Sequence, residues 1–151
     1  MRKFEIVRED AIKYDVVPDK MPQRATKNSA GYDLYSPIDV VIAPKGMEMI
    51  WTNIKAQFEA DEMLLLCVTS GMGKNQIMLA NTIGVIDSDY YGNVSNDGNL
   101  GLRLYNFGDN DYIIKKGDKI GQGVFMKYLT VDDEPEIDNV RVGGFGSTVK
   151  K

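Results

Sequence analysis

Two carboxylates set two residues apart are the part of this chain best equipped for chemistry. Asp87 and Asp89 lie in Gly84-Val85-Ile86-Asp87-Ser88-Asp89-Tyr90-Tyr91-Gly92, between β-branched apolar residues and a pair of tyrosines. If this stretch is a strand entering a hairpin, alternation puts Asp87 and Asp89 on one face and Ile86, Ser88 and Tyr90 on the other. A carboxylate so placed can take a proton from water. On these nine residues alone, turn formation is the favoured reading of the pair. The rest of the composition narrows the choice, because none of the 151 residues is histidine. That removes the commonest general base, any Ser–His or Cys–His nucleophile and nearly all catalytic zinc sites. An enzyme made from this chain has a carboxylate as its most available base, and its metal is a hard, oxygen-bound ion such as magnesium.

Three further stretches carry matching chemistry. Ser70-Gly71-Met72-Gly73-Lys74 follows an apolar run. Its glycines let backbone N–H groups approach a phosphate, and Ser70 and Lys74 add donors. It is not a Walker A loop, because Val68 stands where the first glycine belongs and Asn75 follows the lysine. Ala30-Gly31-Tyr32-Asp33-Leu34 puts another carboxylate near the start of a strand. The tail from Arg141 to Lys151 combines three glycines, Phe145, Ser147 and Thr148 with an arginine. Glycine-rich ends are ordinarily disordered, yet this set of residues suits an arm that closes over a ligand. Asp87-Ser88-Asp89 also resembles the start of a calcium loop, but position twelve is Gly98 rather than glutamate, which discards that reading.

The elements that must hold these groups are short strands. About ten runs of β type are separated by regular turn signals, with no long amphipathic helix, internal repeat or linker. The pattern predicts an all-β barrel or jelly-roll-like domain over residues 1–131, followed by an arm over 132–151. Trp51 and Cys67 are expected in the core. Residues 57–63 are expected as a helical turn or loop, and 95–99 as a polar loop with a turn-forming Asp-Gly pair. The length suits one domain with a core. The net charge of −4 gives no overall basic footprint for duplex nucleic acid. No apolar run approaches a membrane span, and the N-terminus does not read as a signal peptide. A single cysteine allows no intrachain disulfide, which suits the cytoplasm.

Five segments in order resemble the motifs of the trimeric deoxyuridine triphosphatases. They are residues 30–34, Ser70-Gly71 with its flanks, 81–92, 117–125 and 141–148. The charge pattern and short connections look like the Gram-positive or bacteriophage branch. The resemblance implies a distorted jelly roll that forms a homotrimer, with active sites at subunit interfaces and the arm reaching a neighbouring site. It implies hydrolysis of dUTP to dUMP and pyrophosphate with Mg2+. Carried over by position, Asp87 is the base for the attacking water and Tyr90 packs against the deoxyribose. Asn81 and the backbone of Gly84, Val85 and Ile86 read the uracil edge. Ser70 and Gly71 bind the α and β phosphates, Gln122 helps hold the triphosphate, and Asp33 touches the metal through water. Arg141, Ser147 and Thr148 grip the γ-phosphate while Phe145 covers the base. Asp89 is expected to hold the hairpin, and Gln122 reads alternatively as a hydrogen bonder at the edge of the core.

This chain departs from the pattern in places. Thr69 stands where the second motif usually has arginine, and Lys74 is a candidate for the missing charge. Tyr91 also replaces a frequent arginine and is expected at the surface. The segment after Lys74 is shorter than usual, residues 95–99 read as an insertion, and Arg141 lies four residues before Phe145 rather than five. Two other readings share the fold: a dCTP deaminase, and a nucleotide-gated protein whose arm and 95–99 loop contact a regulatory partner.

Overall fold

Burial alternates residue by residue along several strands of the computed structural model, which describes residues 1–144. In β7 (Glu62–Cys67), Leu64 and Leu66 turn inward while Met63, Leu65 and Cys67 are half-buried. Period two therefore sends Cys67 out of the core, against expectation. β7 pairs with β12 (Lys119–Lys127) on one side and β9 (Gly84–Asp87) on the other. With β2 (Gln23–Arg24) and β3 (Tyr32–Tyr35) they form a five-stranded antiparallel sheet in the order β2-β3-β12-β7-β9.

A three-stranded sheet, β5-β10-β8, is built from Met47–Trp51, Gly101–Asn106 and Ile77–Leu79. Two pairs complete the set: β1 (Lys3–Ile6) with β6 (Ile54–Gln57), and β4 (Val40–Ile42) with β11 (Tyr112–Ile114). The core gathers Leu34, Leu64 and Leu66 from the larger sheet with Ile50, Ile77, Leu102 and Leu104 from the smaller one. The sheets come so close at Gly121 that a Cβ there would lie 2.4 Å from Leu102 Cδ2. The described residues form twelve strands rather than about ten, and the all-β architecture stands.

Residues 57–63 take the loop alternative: β6 ends at Gln57 and a turn closed by Glu62 N–H to the Glu59 carbonyl (3.1 Å) leads into β7. Two local expectations change. Trp51 is half-buried, lying over Gly101, where a Cβ would meet its ring at 2.7 Å. Gly84–Asp87 does not enter a hairpin. β9 passes at Ser88 into a 3-10 turn that ends at Tyr90. No helix among the described residues is long and apolar enough to cross a membrane.

Candidate active site

β9 is the last strand of the larger sheet and β8 the last of the smaller one. Between these two edges the molecule opens into a cavity of about 340 Å³, a size suited to a small organic ligand. Its walls are Leu66, Leu79, Ala80, Gly101 and the backbone of β9, with Asn81 and Asp87 on the rim. Asn81 starts a tight turn in which Thr82 N–H bonds the Leu79 carbonyl at 2.9 Å. Thr82 has φ 69, a left-handed conformation that costs a β-branched residue energy. The turn presents Asn81 and then returns the chain as β9.

Of the predicted residues, Asn81, Gly84, Val85, Ile86, Asp87, Tyr90 and Arg141 all line this one cavity. The sidedness expected for the two carboxylates holds even though the strand stops early. Asp87 and Asp89 are exposed while Tyr90 is buried, because the 3-10 turn carries Tyr90 inward. Burial pushes the Tyr90 phenol above its ordinary pKa, opposed by a hydrogen bond from Asn96. Asp89 does not hold a hairpin. Its Oδ1 accepts from Arg141 Nε at 2.6 Å, while Arg141 Nη2 donates to Asp87 Oδ2. One guanidinium thus spans both carboxylates. The resemblance implies an arm that serves a neighbouring subunit; in the single chain residues 141–144 lie against the chain's own cavity. Gly144 sits against the Tyr90 ring, where a Cβ would lie 2.6 Å from Cε2. Phe145, Ser147 and Thr148 lie outside the described residues.

Asp33, Ser70, Gly71 and Gln122 stand apart from this cavity. The register puts Gln122 opposite both Asp33 and Cys67, whereas Asp87 faces Met63. Asp87 and Gln122 are therefore separated by four residues along β7, about 13 Å, and by two strand spacings, about 10 Å. Gln122 donates through Nε2 to the Val68 carbonyl at 3.5 Å, and its Oε1 occupies the space beside Gly31. Gly31 thus serves a side chain as well as the backbone. Asp33 is buried and its Oδ2 lies 2.7 Å from Lys119 Nζ, which raises the lysine's pKa.

Ser70 and Gly71 begin α1 (Ser70–Lys74), a single helical turn rather than an open loop. Thr69 has a structural task there: its Oγ1 accepts from Met72 N–H at 3.4 Å as the helix N-cap. An arginine side chain has no acceptor for that bond. Tyr91 is not simply at the surface. Its hydroxyl donates to Glu5, and Lys55 Nζ lies 4.8 Å from its ring centroid.

Arg103, on β10, also lines the cavity and was missed. Its signal was present in the alternation Leu102-Arg103-Leu104, where a cation occupies the outward position of an otherwise apolar strand.

The fold and the cavity define an all-β jelly-roll domain with a cavity of small-molecule size at an open sheet edge. A family model described as dUTPase matches residues 18–149. The deoxyuridine 5'-triphosphate nucleotidohydrolase of Lactococcus lactis is 40% identical over 150 residues, spanning 98% of this chain and 97% of that protein. The enzyme of the same name from avian adenovirus 8 is 39% identical over 131 residues, 84% of this chain and 76% of that one. Among solved structures, a dUTPase from Streptococcus mutans matches with a TM-score of 0.72 and 32% identity, over 85% of this chain and 98% of its own. The chain belongs to the dUTPase family.

Proposed function

We propose that this protein is a dUTP diphosphatase, cleaving dUTP to dUMP and pyrophosphate by carboxylate-activated attack of water. The observation that carries the reading is the position of Asp87. It stands on the rim of a cavity whose wall is an unpaired strand edge and whose flank is a buried tyrosine.

A base in that cavity meets the backbone N–H and C=O groups that the stretch Gly84–Ile86 turns away from β7, together with the Asn81 amide. Those groups can match one pyrimidine edge and leave another unpaired, which is how such a site rejects cytosine. The Tyr90 ring abuts the sugar and excludes a 2'-hydroxyl by lack of room. Asp87 lies beyond, toward the phosphates, where it orients and deprotonates the water. Arg141 is placed to exchange its carboxylate partners for phosphate oxygens, charge-assisted acceptors of the same kind. Phe145, Ser147 and Thr148 follow it in the arm.

Asp87 and the set Ser70, Gly71, Gln122 and Asp33 are too far apart in one chain to touch one triphosphate at both reacting ends. This separation supports a homotrimer in which one subunit supplies the base pocket and another the phosphate-holding set.

The carboxylates fit a weakly held magnesium. The described residues contain no group of three His, Cys, Asp or Glu side chains arranged around an ion. A Mg2+ would be held chiefly by the substrate phosphates, with Asp33 as the residue that would reach it through water. Bound in that way, it neutralises charge on the polyphosphate. A phage dUTPase at 24% identity has a structure described as showing coordination of a structural Mg(II) ion.

The test is pyrophosphate release from dUTP, dCTP, dTTP and UTP, with and without magnesium. Magnesium-dependent release from dUTP alone is expected. Ammonia release from dCTP would assign the chain to the deaminase reading instead.

A further inference from the structure

The segment Asn93-Val94-Ser95-Asn96-Asp97-Gly98-Asn99 has the composition of a solvated loop. The structure buries most of it. Asn93, Asn96, Asp97 and Asn99 are between 0% and 8% exposed, and only Val94 and Ser95 are exposed. Burying four polar side chains is unfavourable unless each finds partners. No buried side-chain nitrogen or oxygen among the described residues lacks one.

The partners converge on Tyr90. Its hydroxyl donates to the Asn99 carbonyl at 2.9 Å and accepts from Asn96 Nδ2 at 2.7 Å. Its own carbonyl accepts from Asn93 Nδ2 at 2.8 Å. The second hydrogen on that same Asn93 amide nitrogen goes to Asn96 Oδ1 at 2.8 Å. Asn96 Oδ1 also accepts from Gly98 N–H at 3.1 Å, so the amide that holds the phenol is itself fixed. The loop is anchored beyond Tyr90. Asn99 exchanges hydrogen bonds with Asn53 at 2.9 and 3.0 Å. Asp97 Oδ2 accepts from Arg8 N–H and from Lys55 Nζ, both at 2.7 Å. Asp97 and Gly98 take positive φ values, 59 and 83, which turns the chain back onto Tyr90.

We propose that residues 93–99 form a brace that immobilises the Tyr90 ring, with Asn96 and Asn99 as positioning residues for the choice of 2'-deoxyribose over ribose. The inference rests on the reading of Tyr90 as the residue that meets the sugar. Exclusion by a clash is only as strong as the resistance of the clashing group. A ring held only by packing gives way to a 2'-hydroxyl. A ring tethered at its hydroxyl and its carbonyl moves only by breaking buried hydrogen bonds, and those are costly to leave unmade. Apolar residues would fill the same volume without fixing the ring's direction.

The experiment compares kcat/KM for dUTP and for UTP in the wild type, Asn96→Ala, Tyr90→Phe and the double variant. The dUTP/UTP ratio is expected to fall about tenfold in Asn96→Ala, the equivalent of one ordinary net hydrogen bond. The fall comes from a rise in UTP turnover, with kcat for dUTP nearly unchanged. Tyr90→Phe removes the hydroxyl but leaves the amide bonds inside the loop, so it tests the brace even if Asn96→Ala folds poorly. It is expected to give a similar fall, and the double variant to be no worse than either single one, since both break the same link. A ratio that stays at the wild-type value in Tyr90→Phe, or effects that add in the double variant, would overturn the brace. A wild type that does not hydrolyse dUTP would instead remove the reading on which the brace rests.

Discussion

Arg141 lies across Asp87, donating to it through Nη2 while its Nε donates to Asp89 at 2.6 Å. Arg141 and the proposed base are thus in direct contact, and the arginine is far less exposed than either carboxylate. Ion pairs with such exposed partners contribute about 0–1 kcal/mol. Arg141→Gln is therefore expected to leave the melting temperature almost unchanged. Its affinity for a non-hydrolysable dUTP analogue should fall about 10- to 150-fold, from loss of a charge-assisted bond. Calorimetric titration and thermal unfolding on the same sample measure both, and a large drop in stability with intact affinity would refute the assignment.

Asp87→Asn keeps the shape of the rim and removes the carboxylate proposed as the base. Turnover of dUTP is expected to drop by about 10²- to 10⁴-fold, with analogue binding close to that of the wild type. Single-turnover kinetics beside equilibrium binding separates the two effects.

Gly31 and Gln122 leave no space between them, since a Cβ at position 31 would lie 2.1 Å from Gln122 Oε1. Gly31→Ala must push the glutamine side chain aside. A stability loss of about 1–3 kcal/mol is expected from overpacking. If Gln122 holds phosphate, affinity for the triphosphate analogue should fall while affinity for deoxyuridine does not. Equal losses for both ligands would mean that Gln122 only fills the edge of the core.

Tyr91 gives a pH dependence at the alkaline end. Its hydrogen bond to the Glu5 carboxylate pushes the phenol up to about 12 from 10.0. A phenol pKa raised in the folded state contributes stability that is intact below pH 10 and disappears as the pH climbs toward 12. The stability difference between wild type and Tyr91→Phe should shrink across that window. Chemical denaturation at pH 9, 10, 11 and 12 reads it directly, and a difference that stays constant would mean that the Glu5 contact does not hold the proton.

Alternation made the sidedness of Asp87 and Asp89 legible, while the gathering of Asn81, Gly84, Val85, Ile86, Tyr90 and Arg141 at one cavity was legible through the family resemblance. Asp87 and Asp89 faced away from Tyr90 on paper, and they do so in the structure although the strand gives way to a 3-10 turn at Ser88 instead of entering a hairpin. The all-β class was legible for the same reason. What was hidden depends on partners remote in the chain. Asn96, Asp97 and Asn99 look like solvent-facing turn residues until Arg8, Asn53 and Lys55 fold over them. Tyr91 looked superficial until Glu5 arrived from β1. Thr69 looked like a lost charge because the helix it caps is too short to announce itself by periodicity. Arg103 was overlooked because an outward cation on a strand is ordinary, and only the position of β10 beside the cavity makes it notable.

The free edge of β9 has a consequence for the protein's behaviour in concentrated solution. An open strand edge is a template on which another chain can extend the sheet, the usual first step toward clumping. Here the edge cannot be blunted with proline or a bulge without losing the backbone groups assigned to the base. The occupant must do the shielding. Saturation with a dUTP analogue is expected to suppress light scattering on heating beyond the gain in melting temperature, because it covers the one edge this sheet must keep open.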